Sequence, residues 1–168
     1  MTTLPKPPAP GSPLLKPWYA FTRLNVIAYR LSGGKIGGKV GRAPVLLLHH
    51  VGRKSGKKRV SPLLYMPDGD DLVIVASMGG SEKHPSWWIN LRANPETIIE
   101  VGREKRAVTA VQASTEEKAR LWPRLVEMYP SYATYQSRTS REIPVVILRR
   151  EGARLSATNA VSGAPKGA

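Results

Sequence analysis

Within Gly52-Arg53-Lys54-Ser55-Gly56-Lys57-Lys58-Arg59, five of eight residues are cationic, and apolar runs flank both sides. Like charges this close repel one another, and a bound polyanion removes that cost. Glycines 52 and 56 also suit a turn, so the same residues read as a solvated hairpin tip. By composition alone both readings stand. A second group is Ala76-Ser77-Met78-Gly79-Gly80 followed by His84-Pro85-Ser86-Trp87-Trp88-Ile89-Asn90-Leu91. A strand end, a glycine turn and a helix start bring several backbone N–H groups near one point. Two tryptophans and an asparagine beside them suit a flat ring with hydrogen-bonding edges, although one tryptophan and Leu91 read as core. A third group, Tyr129, Tyr132 and Tyr135, recurs every third residue. It reads equally as the wall of a pocket with polar tips and as a packing stripe with its hydroxyls at the surface.

Other chemistries find little support. The chain has no cysteine, which removes disulfides, thiolate catalysis and thiolate-held metals. His49 and His50 are neighbours on a strand and point to opposite faces. His84 is the only other histidine, so hydrogen-bonded or exposed histidines are expected and no metal site. No carboxylate pair has a spacing suited to acid–base work, and no Gly-x-Ser-x-Gly elbow occurs. Gly33–Val40 approaches a phosphate loop, but Val40 stands where Ser or Thr would hold magnesium and the segment follows a helix, so it reads as a linker.

The 26 Lys and Arg against 12 Asp and Glu leave a net charge of +14, which points to nucleic acid, an anionic membrane surface or a highly anionic small molecule. No run of 18 or more apolar residues is present and the start lacks an apolar signal region, so a cytoplasmic location is expected.

These groups must be placed by a scaffold of short strands. Strands are expected at Val45–Val51, Arg59–Met66, Leu72–Ser77, Thr97–Val101, Arg106–Gln112 and Ile143–Leu148, with a turn at Pro67–Asp70. About six antiparallel strands joined mostly by tight turns predict an α+β fold, a small barrel with flanking helices. A first helix over Pro17–Leu31 shows an apolar stripe of Trp18, Phe21, Leu24, Ala28 and Leu31 and stops at Gly33-Gly34. Further helices are expected at Pro85–Ala93, at Thr115–Tyr129 and around Tyr132–Ser140. In the second of these, Ser114 and Glu117 have capping-box spacing, Trp122, Leu125, Val126 and Tyr129 form the buried stripe, and Pro123 predicts a kink or a late start. Residues 1–15 read as a disordered segment, 16–150 as one domain and 151–168 as a flexible tail.

The motifs Gly-Arg-Lys-Ser-Gly-x-x-Arg-x-x-Pro, Ala-Ser-x-Gly-Gly, His-Pro-x-Trp-x-x-Asn-Leu-x-Ala-Asn-Pro, Tyr-Pro-x-Tyr-x-x-Tyr-Gln and Arg-x-Ile-Pro-Val-Val-x-Leu follow in this order over about residues 17–149. The ordered set resembles the deazaflavin-dependent nitroreductase family of actinobacteria, in particular the members that reduce quinones and activate nitroimidazoles. The resemblance implies a split β-barrel that uses coenzyme F420, whose phosphodiester and oligoglutamate tail make it a small polyanion.

It further implies that Arg53, Lys54 and Arg59 hold the phosphate and tail, with Ser55 and the Val60-Ser61-Pro62 backbone continuing that wall. Val75, Ala76, Ser77 and Met78 would lie against the deazaflavin, and Ser86, Trp87, Trp88 and Asn90 on its other side. Tyr129, Tyr132 and Tyr135 would line the acceptor pocket with Trp87, and Ser77 and Tyr132 would orient the acceptor, Tyr132 also touching the coenzyme. Met78 departs from the lysine of the best-known member type, which bears on the acceptor range.

The expected reaction is hydride transfer from F420H2 to a quinone or nitroaromatic. Trp18, Tyr19, Phe21, Arg23 and Arg30 would allow peripheral contact with an anionic membrane. The rivals are an FMN-dependent reductase or oxidase on the same barrel, whose single phosphate leaves five cations excessive, and a basic nucleic-acid-binding barrel, disfavoured because the aromatics sit mostly on helices and loops.

Overall fold

The computed structural model describes Pro13 and residues 15–150. The expectations for 1–12, Leu14 and 151–168 lie outside the described residues, as do the side chains of 15–21, among them Trp18, Tyr19 and Phe21. The order is α1 (Leu15–Ser32), β1 (Lys39–Val40), β2 (Ala43–Val51), β3 (Lys58–Asp68), β4 (Asp71–Val75), α2 (Ser86–Ala93), β5 (Glu96–Val101), β6 (Glu104–Gln112), α3 (Thr115–Met128), α4 (Ser131–Ser137) and β7 (Val145–Arg150). A 3₁₀ turn at Met78–Gly80 joins β4 to α2. The expected strands and helices are all present, with boundaries shifted by one to three residues. β3 runs on through Pro67 and Asp68, which shortens the expected turn to Gly69–Asp70.

The strands lie in the order β1-β2-β3-β4-β7-β6-β5, and pairing of β2 with β5 closes the sheet into an antiparallel barrel. Closure removes the open edges that a flat sheet would leave. β2, β4 and β7 are apolar on both faces because each face meets a core. Leu46, Leu48, Leu72, Ile74, Val146 and Leu148 share one cluster with Ile99, Val108, Trp87, Trp88 and Leu91, so α2 plugs the barrel interior. The alternate residues Val45, Leu47, Val73, Val75, Val145 and Ile147 pack outward beneath α1, α3 and α4.

α3 forms as its sequence directs. Ser114 accepts from the Glu117 N–H while Glu117 accepts from the Ser114 N–H. The helix is continuous through the exposed Pro123 and starts at Thr115, so no late start occurs. It buries Leu121 and Leu125, with Trp122 and Val126 partly covered. Arg120 and Arg124 reach Asp68, and Arg149 reaches Glu117, which straps the helix to the strands on either side.

α1 corrects the expected stripe. Among the α1 side chains that are described, Val26 and Tyr29 are the buried ones, whereas Leu24 is 64% and Leu31 78% exposed. Residues 22, 26 and 29 lie on the helix face opposite 24, 27 and 31. The polar tip of Tyr29 decides between the faces: its hydroxyl donates to Val45 O at 3.0 Å and accepts from the Gly102 N–H at 2.8 Å. Arg30 then grips Glu100, a carboxylate buried on β5 that also meets His49. Gly33 and Gly34, both at positive φ, end the helix as expected. The linker beyond them ends in β1, two residues paired with β2.

Candidate functional site

The five-cation segment is the tip of the β2–β3 hairpin. The Gly52 N–H donates to Lys57 O at 2.9 Å and the Gly56 N–H to Gly52 O at 2.7 Å, which closes the tip into a fixed turn. A Cβ on Gly52 would stand 2.5 Å from Ser55 Oγ, so a larger residue there would make that hydroxyl rotate away. Arg53, Lys54, Lys57, Lys58 and Arg59 are exposed, and none pairs with a carboxylate among the described residues. Asp68, Glu100, Glu104, Glu117 and Glu142 are all engaged elsewhere.

α2 fixes this tip from the side. The Arg53 N–H donates to Asn90 Oδ1 at 3.1 Å, and Asn90 Nδ2 lies 2.9 Å from His50 Nδ1. His50 Nε2 lies 3.0 Å from Ser61 Oγ on β3. Burial, then the charges of Arg59 and His49, lowers the His50 pKa from 6.5 to about 4, so the ring is neutral near pH 7.

The second group follows β4. The Ala76 N–H donates to Pro144 O at 2.9 Å, and the chain then turns through Ser77 into Met78, whose φ of 46° makes it the one non-glycine residue at positive φ among the described residues. Arg141 holds that turn. Its guanidinium donates to Ala76 O and Ser77 O at 3.1 Å, to Ser81 O at 2.8 Å and to His84 Nδ1 at 3.3 Å. Arg141 stood in the Arg-x-Ile-Pro-Val-Val motif, but nothing in that pattern assigned it this role. A Cβ on Gly80 would stand 2.6 Å from Tyr135 O, so this glycine lets the turn lie directly on α4.

The three tyrosines come together. Tyr129 and Tyr132 meet edge to face with centroids 5.0 Å apart, Tyr135 lies 6.3 and 6.4 Å from them, and Trp122 stands 6.4 Å from Tyr132. All three side chains are largely buried, at 6%, 4% and 8% exposure. The Tyr129 and Tyr135 hydroxyls face each other at 3.4 Å, while the Tyr132 hydroxyl makes no hydrogen bond to a described residue. Burial raises the Tyr132 and Tyr135 pKa values, which keeps both phenols protonated and able to donate.

Val75 belongs to the same outward cluster as the tyrosines, and Val60 packs against it. Ala76 and both tryptophans fall in the interior cluster instead. Trp87 is 7% and Trp88 4% exposed, which corrects the expectation that one of them stands free of the core. Trp88 borders a cavity of about 220 Å3 that His84, Arg92, Lys118 and Val145 also line. Ser55 is exposed beside the turn, Ser86 is exposed at the start of α2, and Pro62 is half-buried on β3.

Residues 21–150 match the profile of the family described as F420H(2)-dependent quinone reductase. The chain belongs to that family. An F420H(2)-dependent quinone reductase of Mycobacterium tuberculosis is 46% identical over 132 residues, which cover 76% of this chain and 89% of the relative. A solved F420-H2 dependent reductase aligns at a TM-score of 0.59 with 42% identity, covering 63% of this chain and 94% of its own. A second solved structure, described as a domain-swapped dimer, aligns at 0.61 with 36% identity, covering 80% and 98%.

The present family member is therefore an F420H2-dependent oxidoreductase with a quinone acceptor and a split-barrel fold, and its coenzyme is F420 in the reduced form. The residues present fit that coenzyme. A hydrogen-bonded turn with five cations that pair with no carboxylate among the described residues suits a polyanionic tail, and a phenol hydroxyl on α4 with no partner among the described residues suits a carbonyl.

Proposed function

We propose that this enzyme binds F420H2 along the hairpin tip and reduces a menaquinone-like quinone, with nitroaromatics as incidental acceptors. The observation that carries the reading is the tip itself: five cations without a carboxylate partner among the described residues, on a backbone fixed by Asn90. Arg53 and Arg59 offer planar forks to phosphate, and Lys54 a point charge to the glutamate tail. Val60, Ser61 and Pro62 continue that wall along β3, and Val75 to Met78 carry it to the end of β4.

When bound, the reduced deazaflavin supplies a hydride. The chain's part is to hold the acceptor in line and exclude water, which can supply much of the acceleration. Ser77 and Tyr132 donate hydrogen bonds to the acceptor oxygen where negative charge builds. Tyr129 and Tyr135 complete the apolar wall, whereas Trp87 lies in the interior cluster and takes no part in it. Met78 puts an apolar side chain at the end of this wall in place of a cation, which bears on the range of acceptors.

The test is oxidation of F420H2 in the presence of menadione, of a nitroimidazole and of buffer alone. Turnover with menadione above the blank supports the reading, and no acceptor-dependent loss of F420H2 would refute it. An FMN enzyme on the same barrel would instead quench FMN fluorescence and leave F420 fluorescence unchanged.

A peripheral membrane contact on the cytoplasmic side accords with a lipid-soluble acceptor. Leu24, Ile27 and Leu31 form one exposed apolar face, 64%, 50% and 78% accessible, with Ile36 nearby at 63%. Arg23 and Lys35 are exposed in the same region and suit anionic headgroups. No helix among the described residues is long and apolar enough to cross a membrane. Sedimentation with anionic vesicles at low salt should carry the protein down, and Leu24→Ser with Leu31→Ser should reduce the bound fraction severalfold. Failure of the unaltered protein to sediment would remove the contact.

A further inference from the structure

We propose that His50 is a positioning residue for coenzyme binding: locked as one tautomer between Asn90 and Ser61, it fixes the Arg53 backbone and leaves the Ser61 hydroxyl proton free to donate to a phosphate oxygen of the coenzyme. This rests on the reading of the hairpin tip as the site of the anionic tail.

The tautomer follows from a chain of groups with fixed roles. A backbone N–H can only donate, so Asn90 presents its oxygen to Arg53 and its amide nitrogen to His50. That nitrogen also only donates, so His50 Nδ1 accepts and the ring proton sits on Nε2. Nε2 then donates to Ser61 Oγ, and the Ser61 proton is left over, since its hydroxyl donates to no described residue.

The opposite tautomer would set N–H against N–H at Asn90. Flipping Asn90 to relieve this would set its amide against the Arg53 N–H. One arrangement satisfies every one of these contacts, and in it Ser61 keeps a hydroxyl proton free to donate. The relay spans three elements: Asn90 on α2, His50 at the end of β2 and Ser61 on β3.

The surroundings keep the ring neutral. His50 is 5% exposed. β3 places Arg59 opposite it in the ladder, and His49 is its neighbour on β2. α2 contributes Asn90 and the exposed Arg92. The Glu100 carboxylate of β5 meets His49 on the other strand face, so no carboxylate partners His50 among the described residues. A neutral imidazole is what the relay needs, because a second ring proton would break the bond from Asn90.

The test measures dissociation constants, by fluorescence, for oxidised F420 and for its deazaflavin–ribityl fragment, which lacks phosphate and tail. His50→Asn keeps an acceptor for Asn90 but gives up the donor to Ser61, and Ser61→Ala removes the hydroxyl without touching the imidazole. Each should weaken F420 binding about tenfold, the range of one lost hydrogen bond to a charged group. The double variant should be no weaker than either single one, and fragment binding should change less than about twofold.

Nitrogen-15 ring shifts should show His50, among only three histidines, in the Nε2–H form. Unchanged F420 affinity in both variants, additive losses, equal losses for the fragment, or an Nδ1–H ring would each overturn the assignment. If His50→Asn does not fold, Ser61→Ala and the ring shifts of the unaltered protein still decide. Absence of F420 binding by the unaltered protein would sink the underlying reading instead.

Discussion

Tyr132 separates the packing role of a ring from the chemical role of its hydroxyl. The ring is clamped by Tyr129, Tyr135 and Trp122, but the hydroxyl has no partner among the described residues. Tyr132→Phe should therefore leave stability and F420 affinity unchanged and slow acceptor-dependent turnover about tenfold or more, the scale of one lost donor to developing charge. Unchanged turnover would take the hydroxyl out of the mechanism.

At the hairpin tip, Arg53→Ala with Lys54→Ala should weaken F420 binding at least about tenfold and flatten its dependence on salt. A steeper salt dependence in the double variant would argue against direct charge contact. These side chains were legible in the sequence because their types and order carry the signal. His50 and Arg141 were not, because their roles depend on partners 40 and 65 residues away in the chain. An orphan imidazole and a motif arginine look the same in sequence whether they brace a turn or face water.

Among the elements, α3 was legible in its bounds because its cap is local, but its buried stripe is Leu121 and Leu125 and Pro123 does not delay its start. Ser114→Ala should cost about 1 kcal/mol in chemical denaturation, the usual worth of an N-cap. A loss near zero would mean the Asp68 and Glu117 ion pairs hold the helix start without the cap. α1 was legible as a helix but not in its orientation. Both of its faces are apolar enough to be the buried one, and only the distant Val45 O and Gly102 N–H select Tyr29.

Tyr29→Phe removes that anchor and strands a buried carbonyl and a partly buried N–H, at a cost of about 1–3 kcal/mol. Hydrogen exchange should quicken in α1 and at Gly102 while α3 keeps its protection. Uniform acceleration across the barrel would show instead that α1 is integral to the core. The barrel itself was legible from strand count and spacing, whereas β1 was hidden in a glycine-rich linker too short to show alternation.

Over the whole molecule, charge is arranged to leave cations in surplus where the tail should lie and to consume carboxylates elsewhere. Hydrogen bonds from Arg30 hold Glu100 below the usual carboxylate range, and those from Arg120 and Arg124 do the same for Asp68. Their contributions are present above the unfolded carboxylate pKa values, about 4 to 4.5, and drain away as pH falls below them. His50 adds a contribution present above 6.5 that is lost as pH falls toward about 4. The urea midpoint should thus decline gradually below pH 6.5 and steeply below about 4.5. A midpoint that rises from pH 7 to 5 would contradict this assignment.

The most direct test of the central claim is a fluorescence titration of oxidised F420 into the purified protein at low ionic strength, repeated at rising salt. Saturable binding that weakens steeply with salt is the predicted result. A folded protein, verified by circular dichroism, that leaves F420 fluorescence unchanged at every salt concentration would contradict it.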